Sequence, residues 1–187
     1  MEQFILASNS PRRRELLQKV VKEYEVMSSS VNEENIHAKT PAALVQTLAK
    51  MKAEDIAKKH PYAVVIGCDT VVEINGIALG KPHNKKEARE TLHLLSGNTH
   101  AVHTGVCIQK EVEQTCFVET SNVFFAHMSD AEIEKYIATD EPYDKAGGYA
   151  IQGEAAKFIT KIEGCYFNIM GLPVAHLYKV LKDLNYL

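Results

Sequence analysis

Long apolar runs are missing from this chain. Its opening MEQFILASNS has no charged n-region, and the run Phe4-Ile5-Leu6-Ala7 stops after four residues, so neither a signal peptide nor a membrane span is expected. An excess of positive charge is missing too. The formal net charge is −3 at pH 7, which removes the global field used in bulk nucleic-acid binding and confines any anion site to a local patch. Cysteine is scarce: Cys68, Cys107, Cys116 and Cys165 form no CxxC pair, and no histidines are spaced around them as zinc ligands. The expectation is four reduced, mostly buried thiols in a cytosolic protein, in preference to one or two disulfides. GxGxxG and the P-loop GxxxxGK[ST] are absent, so a bound nucleotide would need a different cradle. HExxH and GxSxG are absent as well, and no persuasive Ser/His/Asp or Cys/His set replaces them. The one histidine pair worth testing for metal, His100 and His103, falls on an expected strand where i and i+3 face opposite sides. There is no repeat, low-complexity tract or linker.

What is present describes a folding domain. The 187 residues suffice for one compact domain or one drawn out into two lobes, and 45% hydrophobic with 24% charged residues is close to the soluble globular average. QFILA (3–7) reads as a short buried strand. Ser10-Pro11 then opens a helix, serine as N-cap and proline at N1, with Leu16, Leu17, Val20 and Val21 as its apolar stripe. Residues 24–28 alternate like a strand, and Thr40-Pro41 starts a second helix with Leu44, Val45, Leu48, Met51 and Ile56 on one face. AVVIGC (63–68) is continuously apolar, as in a strand covered on both faces. Asn75-Gly76 marks a tight hairpin. A helix over 84–95 with Asn84 as N-cap, two long strand patterns, a capping box at Ser129–Glu132, a Gly-rich loop with a strand after it, and a helix over 173–184 complete the chain. Interleaved helices and strands with central hairpins predict an α/β fold on a mixed sheet.

Chemistry gathers at the junctions. LASNSPRRRELL (6–17) places Ser8, Ser10, Arg12 and Arg13 where a helix start leaves unpaired N–H groups and partial positive charge, and guanidinium forks suit phosphate oxygens. A solvated, basic first turn is the plain alternative, slightly disfavoured because cations at that end of a helix want an anionic partner. GCDT (67–70) puts Asp69 at a strand end, where α/β folds bind ligands and a carboxylate can take a proton from water or hold a hard cation; an Asx-turn closing the strand is an equal alternative. Glu33 and Glu34 in a polar loop read singly as solvated surface groups; paired with Asp69 they would make an oxygen-rich magnesium site. Lys81 in the constrained GKP loop is a better phosphate contact than Lys50 or Lys52, which are unremarkable late-helix lysines taken alone. In AGGYAIQG (146–153) the glycines would let backbone approach a ligand, Tyr149 could stack, and Gln152 could read a base edge; an ordinary glycine turn is the alternative.

The ordered set LASNSPRR, VNEE, KxKA at 50–53, GCDTVV, LGKP, LLSGNTHAVHTGV, YDKAGGYAIQG and GCYFNIMGLP resembles the Maf family of nucleoside triphosphate pyrophosphatases along nearly the whole chain. The resemblance implies a single Maf-like domain over 1–187: an elongated mixed β-sheet with flanking helices, two lobes and a central cleft, similar to the inosine-triphosphate pyrophosphatases. It implies hydrolysis between the α- and β-phosphates to monophosphate and pyrophosphate with a divalent cation, Mg²⁺ or Mn²⁺. Asp69 would be the proton acceptor, and Asp69 with Glu33 would hold the metal. Ser8, Arg13, Lys52 and Lys81 would line the triphosphate, and Arg12, Thr70 and Gln152 would set substrate choice. SPRR, DT and IQG resemble the branch acting on dTTP and UTP, with CTP or modified pyrimidine triphosphates as extensions. The alternatives are a 7-methyl-GTP or modified-purine pyrophosphatase of the same fold, and a non-catalytic nucleotide-binding regulator of septum formation. The implied setting is cytoplasmic, without nucleic acid or membrane, and with a homodimer left open. Asn32 stands where many members carry aspartate, and Met170 where a β-branched residue is usual.

Overall fold

A computed structural model describes residues 2–187. The chain runs β1 (Phe4–Ala7), α1 (Pro11–Leu17), β2 (Glu25–Val26), α2 (Pro41–Ala57), β3 (Val64–Ile74), β4 (Ile77–Leu79), α3 (Lys85–Leu95), β5 (Thr99–Lys110), β6 (Glu113–Phe125), α4 (Asp130–Ile137), β7 (Ile159–Glu163), α5 (Tyr166–Met170) and α6 (Val174–Asp183). The local signals act as expected. Ser10, Thr40, Asn84 and Ser129 each cap a helix through a side-chain oxygen, and Ser129 with Glu132 closes a reciprocal capping box. Asn75 and Gly76, with φ of 53° and 79°, make the turn between β3 and β4, both in the left-handed region that a type I′ hairpin needs.

Seven strands form one mixed sheet in the order β2-β1-β3-β5-β6-β7, with β4 pairing beside β3. β1 is parallel to β2 and β3, and the remaining pairs are antiparallel. β3 runs six residues past the expected end at Cys68, because residues 69–73 pair with β5 and residues 72–74 with β4. Asp69 therefore lies inside a strand, and the Asx-turn alternative is gone. On its other edge β3 pairs with β1 through residues 64–67 and with β4 through 72–74, so residues 68–71 have no strand on that side. That gap is where the sheet opens.

The two faces of β3 explain what packs where. Alternate residues Val64, Ile66 and Cys68, with Val106 and Ile108 of β5, join α1 and α6 in one apolar cluster. Further along the same face Val72 and Ile74, with Val102, join α3 and α4 in a second cluster. Between the clusters this row of apolar residues is interrupted by Thr70 and its cross-strand partner Thr104, whose hydroxyls lie 2.9 Å apart. The opposite face is covered by α2, whose Ala49 and Ala53 pack on Val65 and Cys107. The helix lies directly on backbone: a Cβ on Gly67 would be 2.2 Å from the Ala49 carbonyl oxygen, and one on Gly105 would be 2.3 Å from that of Val45.

Two expectations are corrected. Cys107 and Cys116 are joined in a disulfide, their Cα atoms 4.1 Å apart, while Cys68 and Cys165 are free. The two-residue turn between Lys110 and Glu113 sets a hairpin register that puts the two residues directly opposite each other, a proximity that motif spacing does not reveal. The Gly-rich stretch from Asp144, read as a loop, contains two short 3-10 turns, Ala146–Gly148 and Glu154–Phe158, and a third, Glu141–Asp144, leads into it; α5 was not anticipated. No helix among the described residues is long and apolar enough to cross a membrane.

Candidate active site

The gap beside residues 68–71 opens into a cleft of about 740 Å³, within the size range of small-molecule sites. Ser8, Arg12, Arg13, Glu33, Lys52, Asp69, Thr70, Lys81 and Gln152 all line it. The cleft thus gathers nine residues separated by as many as 144 positions in the chain.

Each is carried there by an identifiable element. Ser8 follows the end of β1. Arg12 and Arg13 ride the first turn of α1, but their side chains diverge. Arg13 turns inward: Nε donates to the Gly171 carbonyl at 2.9 Å, Nη1 to Ser8 Oγ at 3.2 Å and Nη2 to Thr70 Oγ1 at 2.9 Å. It brackets the ends of β1 and α5 to β3, and the second N–H on each terminal nitrogen remains for a ligand. Arg12 instead reaches across the cleft to Asp144, N to O 3.6 Å. Thr70 bonds onward to Thr104, whose hydroxyl donates to the Asn168 carbonyl at 3.0 Å. The fully buried Asn168 amide in turn donates to the Val102 carbonyl and Ser121 Oγ.

The charged centre is a three-residue cluster. Lys52 Nζ, on α2, lies 2.7 Å from Asp69 Oδ1 and 2.7 Å from Glu33 Oε1, and the Lys52 and Asp69 side chains are only 12% and 15% exposed. Lys52 is thus far from the unremarkable late-helix lysine that its sequence context describes; Lys50 is the surface one, paired with Glu54 on its own helix. Glu34 is exposed and does not line the cleft. Among the described residues no three His, Cys, Asp or Glu side chains are gathered as a metal cage, so a carboxylate trio of Glu33, Glu34 and Asp69 is not formed. Two carboxylates facing one cleft still suit a hard cation of the Mg²⁺ type, which takes one or two carboxylates and completes its shell with water and phosphate oxygens. Cys68, next to Asp69, is an inert neighbour: burial pushes its thiol up to about 11, against the pull of Arg13 and Lys52.

The Gly-rich stretch also lines the cleft, with its roles redistributed. Tyr149 is 6% exposed, its hydroxyl is 2.7 Å from His100 Nε2, and its ring meets His100 and Phe125 edge-on. It is built into the core and not free to stack on a base. Gly147 and Gly148, both at φ of 70°, face Val72 and Pro82 of the chain itself, so their lack of side chains serves internal packing. Gln152 is exposed at the rim. His100 and His103 do diverge, His100 toward Tyr149 and His103 toward Glu73 and Thr120. Two charged cleft residues, Asp144 and Lys145, were missed from sequence. They bond each other, and Lys145 Nζ also donates to the Glu141 carbonyl at 2.9 Å. Their signal was present in DKAGG, where an acid and a base stand one alanine ahead of the glycines.

A family model described as Maf-like protein matches residues 3–184. A Bacillus pumilus protein named dTTP/UTP pyrophosphatase is 50% identical over 185 residues, which span 99% of this chain and 98% of that protein. One of the same name from Carboxydothermus hydrogenoformans is 46% identical over 183 residues, 97% of this chain and 98% of the other. Among solved structures, a HAM1 protein from Coxiella burnetii superposes with a TM-score of 0.59 at 13% identity, and the Staphylococcus aureus Ham1 protein with 0.55 at 15%. Each alignment covers 98% of this chain and 100% of the other, a likeness of fold. With the model matched from near one end to the other, and relatives this similar over full length, the chain belongs to the Maf family.

Proposed function

We propose that this chain is a nucleoside triphosphate pyrophosphatase that hydrolyses dTTP and UTP to the monophosphate and pyrophosphate, the whole chain working as one two-lobed unit. The observation that carries the reading is the cleft itself: five cationic side chains, Arg12, Arg13, Lys52, Lys81 and Lys145, around a carboxylate pair held by one lysine. The names of the full-length relatives support the substrate class.

In this mechanism Arg12, Arg13, Lys81 and the Ser8 hydroxyl bind the polyphosphate through charge-assisted hydrogen bonds. Asp69 accepts a proton from a water that attacks the α-phosphorus. The bond from that phosphorus to the α–β bridging oxygen breaks, and pyrophosphate leaves with the bonding electrons. Lys52 orients the Asp69 carboxylate through its 2.7 Å contact to Oδ1, and the surrounding cations offset the charge that develops on the leaving group. Asp69 and Glu33 are the residues that would hold a divalent cation, Mg²⁺ or Mn²⁺, which supplies further charge to the phosphate oxygens. Gln152 at the rim, with Arg12 and Thr70, selects the nucleotide. A nucleotide substrate of this kind sets the work in the cytoplasm.

A pyrophosphate-release screen over canonical and modified triphosphates, with Mg²⁺ and with Mn²⁺, tests the reading. The expected result is turnover led by dTTP and UTP. Turnover led by 7-methyl-GTP or another modified purine would replace the substrate assignment, and no pyrophosphate from any triphosphate would overturn the enzymatic reading.

A further inference from the structure

We propose that Glu141 is a positioning residue for nucleobase selection, acting through Gln152; the proposal rests on the pyrophosphatase reading above. Glu141 begins the 3-10 turn Glu141–Asp144 and does not line the cleft. Its carboxylate is the anchor of the segment that does. Oε2 accepts the Glu154 backbone N–H at 2.8 Å, and Oε1 accepts the Ala155 N–H at 3.4 Å and the Tyr136 hydroxyl at 2.8 Å. The same carboxylate fills the space beside Gly153, where a Cβ would lie 2.3 Å from Oε2. Tyr136 is 1% exposed in the α4 core face, so the anchor is itself fixed.

The upstream end of the segment is held independently by the Tyr149–His100 hydrogen bond. Between the two anchors the chain turns tightly, with the Gly153 N–H donating to the Ala150 carbonyl at 3.1 Å, and Gln152 stands on that turn, exposed to the cleft. A side-chain amide can read a base only if its backbone is held in place, and on the downstream side Glu141 supplies that hold. The carboxylate is kept ionised there. Burial works to raise its pKa, but the hydrogen bonds from Glu154, Tyr136, Ala155 and Ala150 together bring it below the usual range.

The test is a double-mutant cycle on nucleotide preference. Glu141→Ala, in an otherwise native chain, lowers the kcat/KM ratio of dTTP over a purine triphosphate roughly tenfold, which is about 1.4 kcal/mol, and does so mainly through KM. In a Gln152→Ala background the same substitution changes the ratio by less than about twofold. Glu141→Gln keeps an oxygen for the Glu154 N–H and retains most of the preference, and it serves as the folded control. An unchanged ratio, or equal losses in both backgrounds, overturns the proposal. A readout independent of turnover separates its failure from that of the pyrophosphatase reading. Hydrogen exchange at the 153–155 amides accelerates at least about tenfold in Glu141→Ala, and binding of α,β-methylene dTTP weakens in parallel. Unaltered exchange and binding refute the anchoring role whether or not any triphosphate is hydrolysed.

Discussion

Replacing Asp69 with asparagine separates chemistry from architecture because the structure assigns them different partners. The substitution is isosteric. Lys52 Nζ, now 2.7 Å from Asp69 Oδ1, keeps an amide oxygen there and keeps its other 2.7 Å contact to Glu33. What is lost is one charge in an alternating acid–base–acid cluster. The difference between a charge-assisted and a neutral hydrogen bond is about 1 kcal/mol, which for a chain of this size moves the melting temperature by roughly 2–4 °C. The catalytic loss is larger. Removing the proton acceptor costs on the order of 10² to 10⁴ in rate, about 3 to 5.5 kcal/mol on the barrier. Pyrophosphate release from dTTP measured beside thermal unfolding reads both. The expected variant is folded, melts within a few degrees of the native protein, and has nearly lost turnover. Near-native release would remove Asp69 from the mechanism, and a melting point tens of degrees lower would show that the cluster is primarily structural.

Three further outcomes follow from other parts of the fold. Gln152→Glu adds a carboxylate to the cleft rim and should weaken the preference for pyrimidine triphosphates; identical relative rates across a nucleotide panel would contradict that role. His100 is buried and its pKa is pushed down by desolvation from 6.5 to about 4. Between those values the unfolded chain binds the extra proton, so stability falls as pH drops from 6.5 to 4, by about 3 kcal/mol in total. Urea unfolding across that range should show the slope in the native chain and a shallower one in His100→Gln, and equal slopes would refute it. Gly67→Ala drives a methyl into the Ala49 carbonyl of α2 and should cost about 1–3 kcal/mol; an unchanged melting temperature would mean that the helix can ride outward freely.

What the sequence carried was local. Caps at Ser10, Thr40, Asn84 and Ser129 and the Asn75-Gly76 turn depend on neighbours within a few residues, and they emerge as expected. The mixed sheet followed from interleaved elements and hairpins. Its order did not, because which strand lies beside β3 is decided by side chains far away in the chain. The same limit hid the burial of Tyr149 against His100 and the cross-cleft reach of Arg12 to Asp144, whereas the Cys107–Cys116 pairing, nine positions apart, depended on the hairpin register. Of the nine cleft residues, Lys52 and Thr70 were identified only through ordered resemblance, since Lys52 taken alone reads as a surface lysine; the chemistry of the junctions offered the other seven as candidates. One physical signal was there to be read: the break of Thr70 and Thr104 in otherwise apolar strand faces marks where the two core clusters part.

The cluster around Lys52 and the Arg12–Asp144 pair share a further consequence. Three carboxylates, Glu33, Asp69 and Asp144, already face five cations in the cleft. An incoming polyanion does not meet bare positive charge; it trades places with resident acids, much as a counterion does on an exchange resin. Affinity should therefore fall with ionic strength less steeply than the number of basic groups implies, and a mimic able to displace only some of those acids would bind loosely.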